Sequence, residues 1–231
     1  MSCGTDGPTS SAGCCQDSSK LMDATGRLTP ADIWDHVLAR CGHRRLEHQV
    51  IPGLYRLGTP SPASPVFVTA NYTLSFDALR SSIARLACYI LVLDTKGINV
   101  WCAAGEGAFG TDELVCRIKS TGLASVIDHR TVILPQLGAA GVSAHEVLAR
   151  TGFRVEYGPV RASDLPYYIE NGAATPDMRK VTFGLADRLV LIPVEMVHAA
   201  PSLALGGVIG WLLTGPQGAL AVIAAILAGV I

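Results

Sequence analysis

Residues 199–231 constrain the fold most, because this segment carries no charged side chain. Its apolar run over residues 203–231 exceeds the roughly 20 residues that a helix needs to cross a bilayer. A helix that packs on a water-soluble core presents a polar face to solvent, and this segment has none. Residues 215–218, Gly-Pro-Gln-Gly, interrupt the run, so the sequence predicts either one kinked span or a short span followed by the start of a second.

The sequence before this segment alternates strand-type and helix-type patterns. Apolar runs that alternate with helix-type periodicity predict strands at residues 66–69, 89–94, 131–134 and 153–157. This order predicts a three-layer, Rossmann-like α/β domain over residues 29–198, whose ligands bind beyond the strand ends. Residues 1–28 are rich in Ser, Gly, Thr and Asp, which predicts a disordered leader.

Two helix starts are placed by their capping residues. Thr29, with proline at the first helical position, predicts a helix that runs to residue 41. Ile33, Val37 and Leu38 share one face of this helix, the pattern of a helix that packs on a core. Ser75 predicts the cap of a second helix, which runs to about residue 86.

Charge and cysteine usage exclude some classes of protein. The net charge is −1 and no basic stripe is present, so the sequence does not predict nucleic-acid binding. The seven cysteines lack paired spacing, and no apolar signal segment opens the chain. Both observations predict free thiols in a reducing cytoplasm.

Cys102 is the strongest candidate for a functional residue. Residues 96–97 predict a tight turn after the strand at 89–94, and residues 98–101 predict a return strand. Cys102 then starts a helix-prone piece that ends in Gly105-Glu106-Gly107. Backbone N–H groups at a helix start favour a thiolate, the form that binds metals. The alternative is a small buried hydrophobe, the usual setting of a free cysteine.

The sequence around Cys102 resembles a known family. Residues 99–105 are similar to the signature of HgcA, the corrinoid protein of microbial mercury methylation. The resemblance runs from about residue 50 to about residue 197, through residues 64–72, 92–98, 134–138 and 157–162. More distantly, the same region resembles the corrinoid domain of the corrinoid iron–sulfur protein large subunit of the acetyl-CoA pathway. That branch lacks the cysteine, so Cys102 distinguishes the two.

The resemblance implies a cobalamin or related corrinoid, with the Cys102 sulfur as lower axial ligand of cobalt. The segment under the ring would comprise Asn99, Val100, Trp101, Ala103, Ala104, Gly105, Gly107 and Phe109, whose small members let the backbone approach closely.

Two further sets of candidate contacts follow predicted strands. Polar groups that could bind the amide side chains of the corrin, or form an ordinary strand-to-helix turn, are Thr69, Asn71, Thr73 and Ser75. Ring or tail contacts are expected from Leu134, Pro135 and Gln136.

The activity implied by the resemblance is that of a cobalamin-dependent methyltransferase that converts Hg(II) to methylmercury. An electron-rich axial thiolate favours delivery of methyl with its bonding electrons, which suits an electrophilic metal ion. The resemblance also implies a methyltetrahydrofolate-type donor and a ferredoxin-like partner of the HgcB type with two [4Fe–4S] clusters. This chain lacks Cys-x-x-Cys-x-x-Cys runs, so its reducing electrons must come from such a partner.

Two alternatives stay open. One is a methyl carrier of the acetyl-CoA-pathway type, and the other is a non-catalytic, membrane-tethered binding domain in which Cys102 is only buried. The family signature has lysine where this chain has Glu106, a like charge that disfavours a thiolate.

The location is predicted from charges near the apolar segment. Arg179, Lys180 and Arg188 precede it and no charge follows, which predicts the inner membrane with the α/β domain facing the cytoplasm. The resemblance implies several spanning helices after the soluble domain, so residues 199–231 are expected to be a truncated membrane domain.

Overall fold

The computed structural model describes residues 20–230 and is built on a six-stranded sheet. The strands are β1 (Met22–Ala24), β2 (Gly53–Leu57), β3 (Val66–Ala70), β4 (Cys88–Leu93), β5 (Thr131–Leu134) and β6 (Arg154–Tyr157). Their spatial order is β1-β2-β4-β3-β5-β6. Four strands, β4-β3-β5-β6, are parallel, whereas β2 pairs antiparallel with β4.

The α/β class predicted from the sequence is confirmed, but the sheet is mixed. A Rossmann-like sheet is mostly parallel, and the reversed strand β2 departs from that order. Residues 22–24 lie in the stretch predicted to be a disordered leader. They form strand β1 because they pair with β2. Residues 1–19 of that leader lie outside the described residues.

Helices cover both faces of the sheet. The helices of the described residues are α1 (Pro30–Arg40), α2 (Thr73–Ser82), α3 (Val100–Glu106), α4 (Thr111–Ser120), α5 (Leu123–Val126), α6 (Ala144–Thr151), α7 (Leu165–Asn171), α8 (Leu185–Leu189), α9 (Ile192–Thr214) and α10 (Pro216–Val230), of which α9 and α10 pack against each other. Every residue of β3 and β4 is buried, as expected for parallel strands with both faces covered. Side chains of β4 alternate between two cores: Leu91 faces the α4 side and Ile90 faces the α2 side.

Helix α1 begins as predicted but packs by the opposite face. Thr29 and Asp32 form a reciprocal capping box at its start. The predicted apolar face is exposed at Ile33 and Val37. The face toward α2 is polar instead, because Asp32 and His36 reach the charged side chains of α2.

Two predicted local structures differ in the α/β domain. Residues 98–101 form no return strand, because Asn99 caps α3 and Val100 already lies in that helix. Helix α2 begins at Thr73, two residues before Ser75, and no side-chain hydrogen bond caps it.

The apolar C-terminal segment forms two helices. Gly215, at φ +75°, separates α9 from α10, so the interruption is a break between helices and not a kink in one. Gly206 faces Val222, and Gly210 approaches the Gly218 carbonyl, which makes the pair an antiparallel hairpin. By length and composition, the helical stretch Asp187–Thr214 could cross a membrane.

The cysteines differ in state. Cys41, Cys88 and Cys102 carry free thiols. Cys41 is half-buried, Cys88 is buried and Cys102 is exposed.

Candidate functional site

A cavity of about 340 Å³ opens at the carboxyl edge of the parallel strands. Its walls come from β3 and β5, from the start of α2, and from the segments that follow β4 and β6. Of the residues predicted from the sequence, those that line it are Thr69, Ser75, Asn99, Val100, Trp101, Leu134 and Pro135. The folded chain therefore brings together segments that are far apart in sequence.

The other residues that line the cavity were not predicted from the sequence. They are Phe67, Val68, Ala78, Leu79, Ile133, Leu137, Pro159, Val160, Ala162 and Leu165. Most are apolar, and an apolar side chain at a strand end gives no sequence signal that separates a ligand contact from a core contact. Their prediction requires the order of β3, β5 and β6 in the sheet, because that order places their strand ends side by side.

Helix α3 presents Cys102 to solvent. The Asn99 side chain accepts a hydrogen bond from the Cys102 backbone N–H at 3.0 Å, which fixes the start of the helix. Ala103 and Ala104 are buried in the core, so the opposite face of α3 is exposed and carries Trp101 and Cys102. The alternative that Cys102 is a buried hydrophobe is thereby not supported.

The backbone beside Cys102 borders open space. A Cβ atom added at Gly105 or Gly107 would meet no protein atom within 4 Å. Packing within the chain therefore does not require a small residue at position 105. Gly107 has a second reason to be glycine, because it ends α3 in the left-handed conformation at φ +87°.

Asn71 is a buried anchor of the loop after β4 and does not line the cavity. Its side-chain oxygen accepts hydrogen bonds from the Thr95 backbone N–H, the Thr95 hydroxyl and the Gly97 backbone N–H, at 2.9–3.0 Å. Its amide nitrogen donates to Gln49 and Asp94. These bonds use its polar atoms inside the protein, so the structure assigns Asn71 to the support of the loop that leads to α3.

The remaining candidates lie outside the cavity lining. Phe109 is fully buried and packs against Gly138, so it belongs to the core. Thr73 begins α2 beside the cavity wall. Gln136 accepts a hydrogen bond from Arg179 at 3.0 Å and thereby ties the segment before α8 to the strand edge.

The thiols differ in their chemical state. Burial raises the pKa of the Cys88 thiol to about 12, whereas Cys102 is exposed. Between residues 20 and 230, no group of three or more His, Cys, Asp or Glu side chains is arranged to hold a metal ion. Cys102 is thus a single exposed donor beside an apolar cavity.

The fold and the cavity define an α/β domain with a candidate ligand site at the carboxyl edge of its sheet. The chain belongs to the CO dehydrogenase/acetyl-CoA synthase delta subunit family, whose family model matches residues 44–169. The match extends from before β2 into α7 and includes nearly all of the cavity-lining segments.

Relatives of this chain include gamma subunits of the acetyl-CoA decarbonylase/synthase complex from several organisms. The acetyl-CoA decarbonylase/synthase complex subunit gamma of Methanopyrus kandleri is 34% identical over 128 residues, which are 54% of this chain and 27% of that protein. The subunit of the same name from Methanocaldococcus jannaschii is 30% identical over 148 residues, which are 61% of this chain and 30% of that protein. The chain therefore spans less than a third of the length of these relatives. The matches support the acetyl-CoA-pathway relationship and do not support the resemblance to HgcA specifically.

Proposed function

We propose that the α/β domain is a corrinoid-binding methyl carrier in which Cys102 supplies a sulfur ligand to cobalt. The observation that carries this proposal is the exposed Cys102 thiol on α3, next to Trp101, which lines the apolar cavity. Family membership supports the corrinoid, and the sequence signature supports the thiol ligand.

The residues present fit such a cofactor. A corrinoid is broad and flat, and α3 offers an exposed face with open space at Gly105 and Gly107. The cavity next to it is mainly apolar, and its few polar groups include Thr69 and Ser75. Cofactor sites in proteins commonly combine such apolar walls with a few placed polar groups.

Each protein group has a separate task in this proposal. When bound, a corrinoid supplies a cobalt centre that can carry a methyl group. Asn99 holds the start of α3, so the side chain of Cys102 points away from the core. The apolar cavity walls exclude water, and the hydroxyls of Thr69 and Ser75 remain free to hydrogen-bond cofactor amides.

We propose Hg(II) as the methyl acceptor. A thiolate is a soft, electron-rich donor, and electron density at a metal centre favours transfer of methyl to an electrophile. Hg(II) is such an electrophile, and in this proposal it is the substrate and not a bound cofactor. A methyltetrahydrofolate-type donor and a ferredoxin-like protein with two [4Fe–4S] clusters complete this proposal as external partners.

A second candidate acceptor belongs to the acetyl-CoA pathway. The observation that favours it is the name of the curated relatives, which are subunits of the acetyl-CoA decarbonylase/synthase complex. In that function the methyl group would pass to a partner subunit of such a complex. The resemblance to the acetyl-CoA-pathway corrinoid domain implies no cysteine at this position. Cys102 therefore argues against this second candidate.

The deciding experiment compares cobalamin-loaded wild-type chain with Cys102→Ala, and uses Cys41→Ala as the matched control. We expect the visible spectrum of the Co(III) form to change in Cys102→Ala alone. Identical spectra would disprove sulfur ligation, and failure of every variant to bind cobalamin would disprove the corrinoid assignment.

A transfer assay separates the two acceptors. Methyl-loaded chain is mixed with Hg(II) or with a purified acetyl-CoA decarbonylase/synthase complex, and the methylated product is measured. We expect methylmercury from the wild type and a loss of about 100-fold in Cys102→Ala, since loss of a ligand-sphere group commonly costs 10–100-fold or more. Transfer only to the complex would establish the second candidate.

We also propose that α9 and α10 anchor the chain in the inner membrane, with the α/β domain in the cytoplasm. Helix α9 has 23 residues, which at 1.5 Å per residue spans about 34 Å, enough for the hydrocarbon core. Arg179, Lys180 and Arg188 precede the uncharged segment, in the sense of the positive-inside rule. We expect the full chain to stay in the membrane pellet after an alkaline wash, and recovery in the soluble fraction would disprove the anchor.

A further inference from the structure

Helix α1 exposes the apolar side chains that a core helix would bury. Ile33, Trp34 and Val37 are 54%, 63% and 42% exposed. The opposite face of α1 carries Asp32, which bonds Arg80 at 2.8 Å, and His36, which bonds a carboxylate of α2 at 2.7 Å. The helix is therefore held to the domain by an ion pair and a histidine–carboxylate hydrogen bond, and its apolar face is left without a partner in residues 20–230.

The turn after α1 lies against α9, the helix in which the uncharged segment begins. Gly42 lies at φ +73°, and a Cβ there would be 3.3 Å from Val194 and 3.9 Å from the His198 ring. His198 immediately precedes the uncharged run that starts at residue 199. The turn therefore lies within about one helical turn, roughly 5 Å, of the segment proposed to enter the bilayer.

Exposed basic side chains surround this turn. Arg40, His43, Arg44 and Arg45 are all exposed, and the one exposed acidic neighbour in the turn is Glu47, which pairs with Arg44 at 3.3 Å. Basic residues next to a span are attracted to anionic lipid headgroups. An apolar stripe with tryptophan beside a basic end is the composition of a helix that lies in the membrane interface.

A second exposed apolar segment leads into α9 from the other side. Val181, Phe183, Leu185, Leu189 and Val190 are exposed and come just before that helix. The start of α9 is thus adjoined by the turn after α1 and by the exposed apolar segment that precedes α9 in the chain. A lipid surface can cover both, because both adjoin α9.

We infer that the apolar face of α1 and the basic turn at residues 40–45 rest on the anionic headgroup layer where α9 enters the membrane. This inference rests on the proposed membrane anchor. The domain then contacts the bilayer at two points, α9 and α1, and these two contacts fix its orientation relative to the membrane.

The test uses the full chain reconstituted in vesicles that contain brominated lipid. The chain has three tryptophans, so two single-tryptophan variants are made. One keeps Trp34 (Trp101→Phe, Trp211→Phe) and the other keeps Trp211 (Trp34→Phe, Trp101→Phe). We expect Trp34 emission to fall about twofold when bromine is placed high in the acyl chain, as for a side chain 5–10 Å into the interface.

Trp211 separates the inference from the anchor on which it depends. Trp211 is exposed in α9 and should be quenched by bromine deeper in the bilayer if α9 spans it. Quenching of Trp211 without quenching of Trp34 would overturn the inference and keep the anchor. Absence of quenching at both positions would overturn both.

A charge arm tests the headgroup contact. Replacing Arg44 and Arg45 by Gln in the Trp34 variant should remove most of the difference in quenching between anionic phosphatidylglycerol and neutral phosphatidylcholine vesicles. Arg154→Gln, at an exposed arginine of β6, is the matched control and should leave that difference unchanged. Equal quenching in both lipids for the parent variant would overturn the headgroup contact.

Discussion

Two cysteines, one at the start of β4 and one in the helix that follows this strand, lie in opposite settings. Cys88 starts the strand, is fully buried, and has a pKa raised to about 12 by burial. Cys102 follows the other end of the strand after a hydrogen-bonded loop, and it is exposed. The amino end of the strand packs against apolar side chains, while the chain that leaves the carboxyl end is fixed by polar ones. The cysteine at the amino end of β4 is therefore expected to be unreactive, and the cysteine after its carboxyl end is expected to be reactive.

The largest expected effect is the difference in alkylation rate between these two thiols. With a pKa of about 12, only about one Cys88 in 10⁴ is ionised at pH 8, and the thiolate is the form that reacts. We expect Cys102 to react with iodoacetamide at least about 1000-fold faster than Cys88 in the folded chain. Mass spectrometry of the two cysteine peptides measures both rates. In urea the rates should converge, and similar rates in the folded chain would remove the contrast between the strand ends.

The next largest effect comes from the loop that separates Cys102 from β4. Asn71→Ala leaves the buried N–H groups of Thr95 and Gly97 without their acceptor, which costs about 2 kcal/mol or more. Hydrogen exchange of those two amides should therefore accelerate about 30-fold, while amides of β4 are less affected. Asn171→Ala in α7 removes an exposed side-chain bond and is the control. Equal acceleration in both variants would show that Asn71 has no special role in the loop.

A smaller effect is expected from pH at the same end of the sheet. Burial lowers the pKa of His48, but hydrogen bonds to the His43 carbonyl and the Asp35 carboxylate outweigh it, so the folded-state pKa lies above the ordinary value. A raised pKa means that His48 stabilises the fold fully below its unfolded pKa, near 6.5, and that this stabilisation is lost as pH rises through the folded pKa. Gln49, next to His48, contacts Gly97 in the loop after β4, so the effect should be local to that end.

The corresponding measurement compares hydrogen exchange at residues 94–99 in wild type and His48→Gln at pH-corrected rates. We expect the wild type to lose about 1 kcal/mol or less of protection between pH 6 and pH 8, because one partner, Asp35, is partly exposed. His48→Gln should show no such loss. A loss of the same size in the variant would assign the pH dependence to other groups.

The smallest effect is expected at Glu106. It lies four residues after Cys102 on the exposed face of α3, where residues of this spacing are neighbours. Glu106→Lys replaces a repulsive charge with an attractive one, so Cys102 alkylation at pH 7 should rise severalfold, equivalent to less than about 1 kcal/mol for an exposed pair. Glu106→Gln should give about half of that energy. An unchanged rate in both variants would show that this charge does not act on the thiol.

Sequence patterns locate elements better than they locate their faces. The apolar runs of β3, β4 and β5 and the Thr29 cap of α1 are visible in the sequence because each depends on neighbouring residues. The buried face of α1 depends on Arg80, far along the chain, and the pattern of Ile33 and Val37 alone predicts the wrong face. The apolar pattern of strand β2 is interrupted by an exposed arginine, so it is weak.

The candidate site shows the same division. Leu134 ends β5 and Asn99 lies in the segment that follows β4, and both line the cavity. Asn71 also follows a strand, but its side chain turns toward Thr95 and Gly97, which are more than twenty residues away in sequence. The direction of a side chain at a strand end depends on the loop that packs beside it. The sequence around that side chain does not show which loop this is.

The cap formed by Asn99 has a consequence for how this family can diversify. Helix α3 is held by the Asn99 side chain and by the buried residues Val100, Ala103 and Ala104, while the exposed side chain at position 102 contributes little to that support. A change of that one codon exchanges the donor group offered to a ligand and leaves the scaffold folded. Lineages that share this scaffold can therefore acquire or lose a thiol in a single mutational step, and selection on ligand chemistry acts there almost independently of selection on folding.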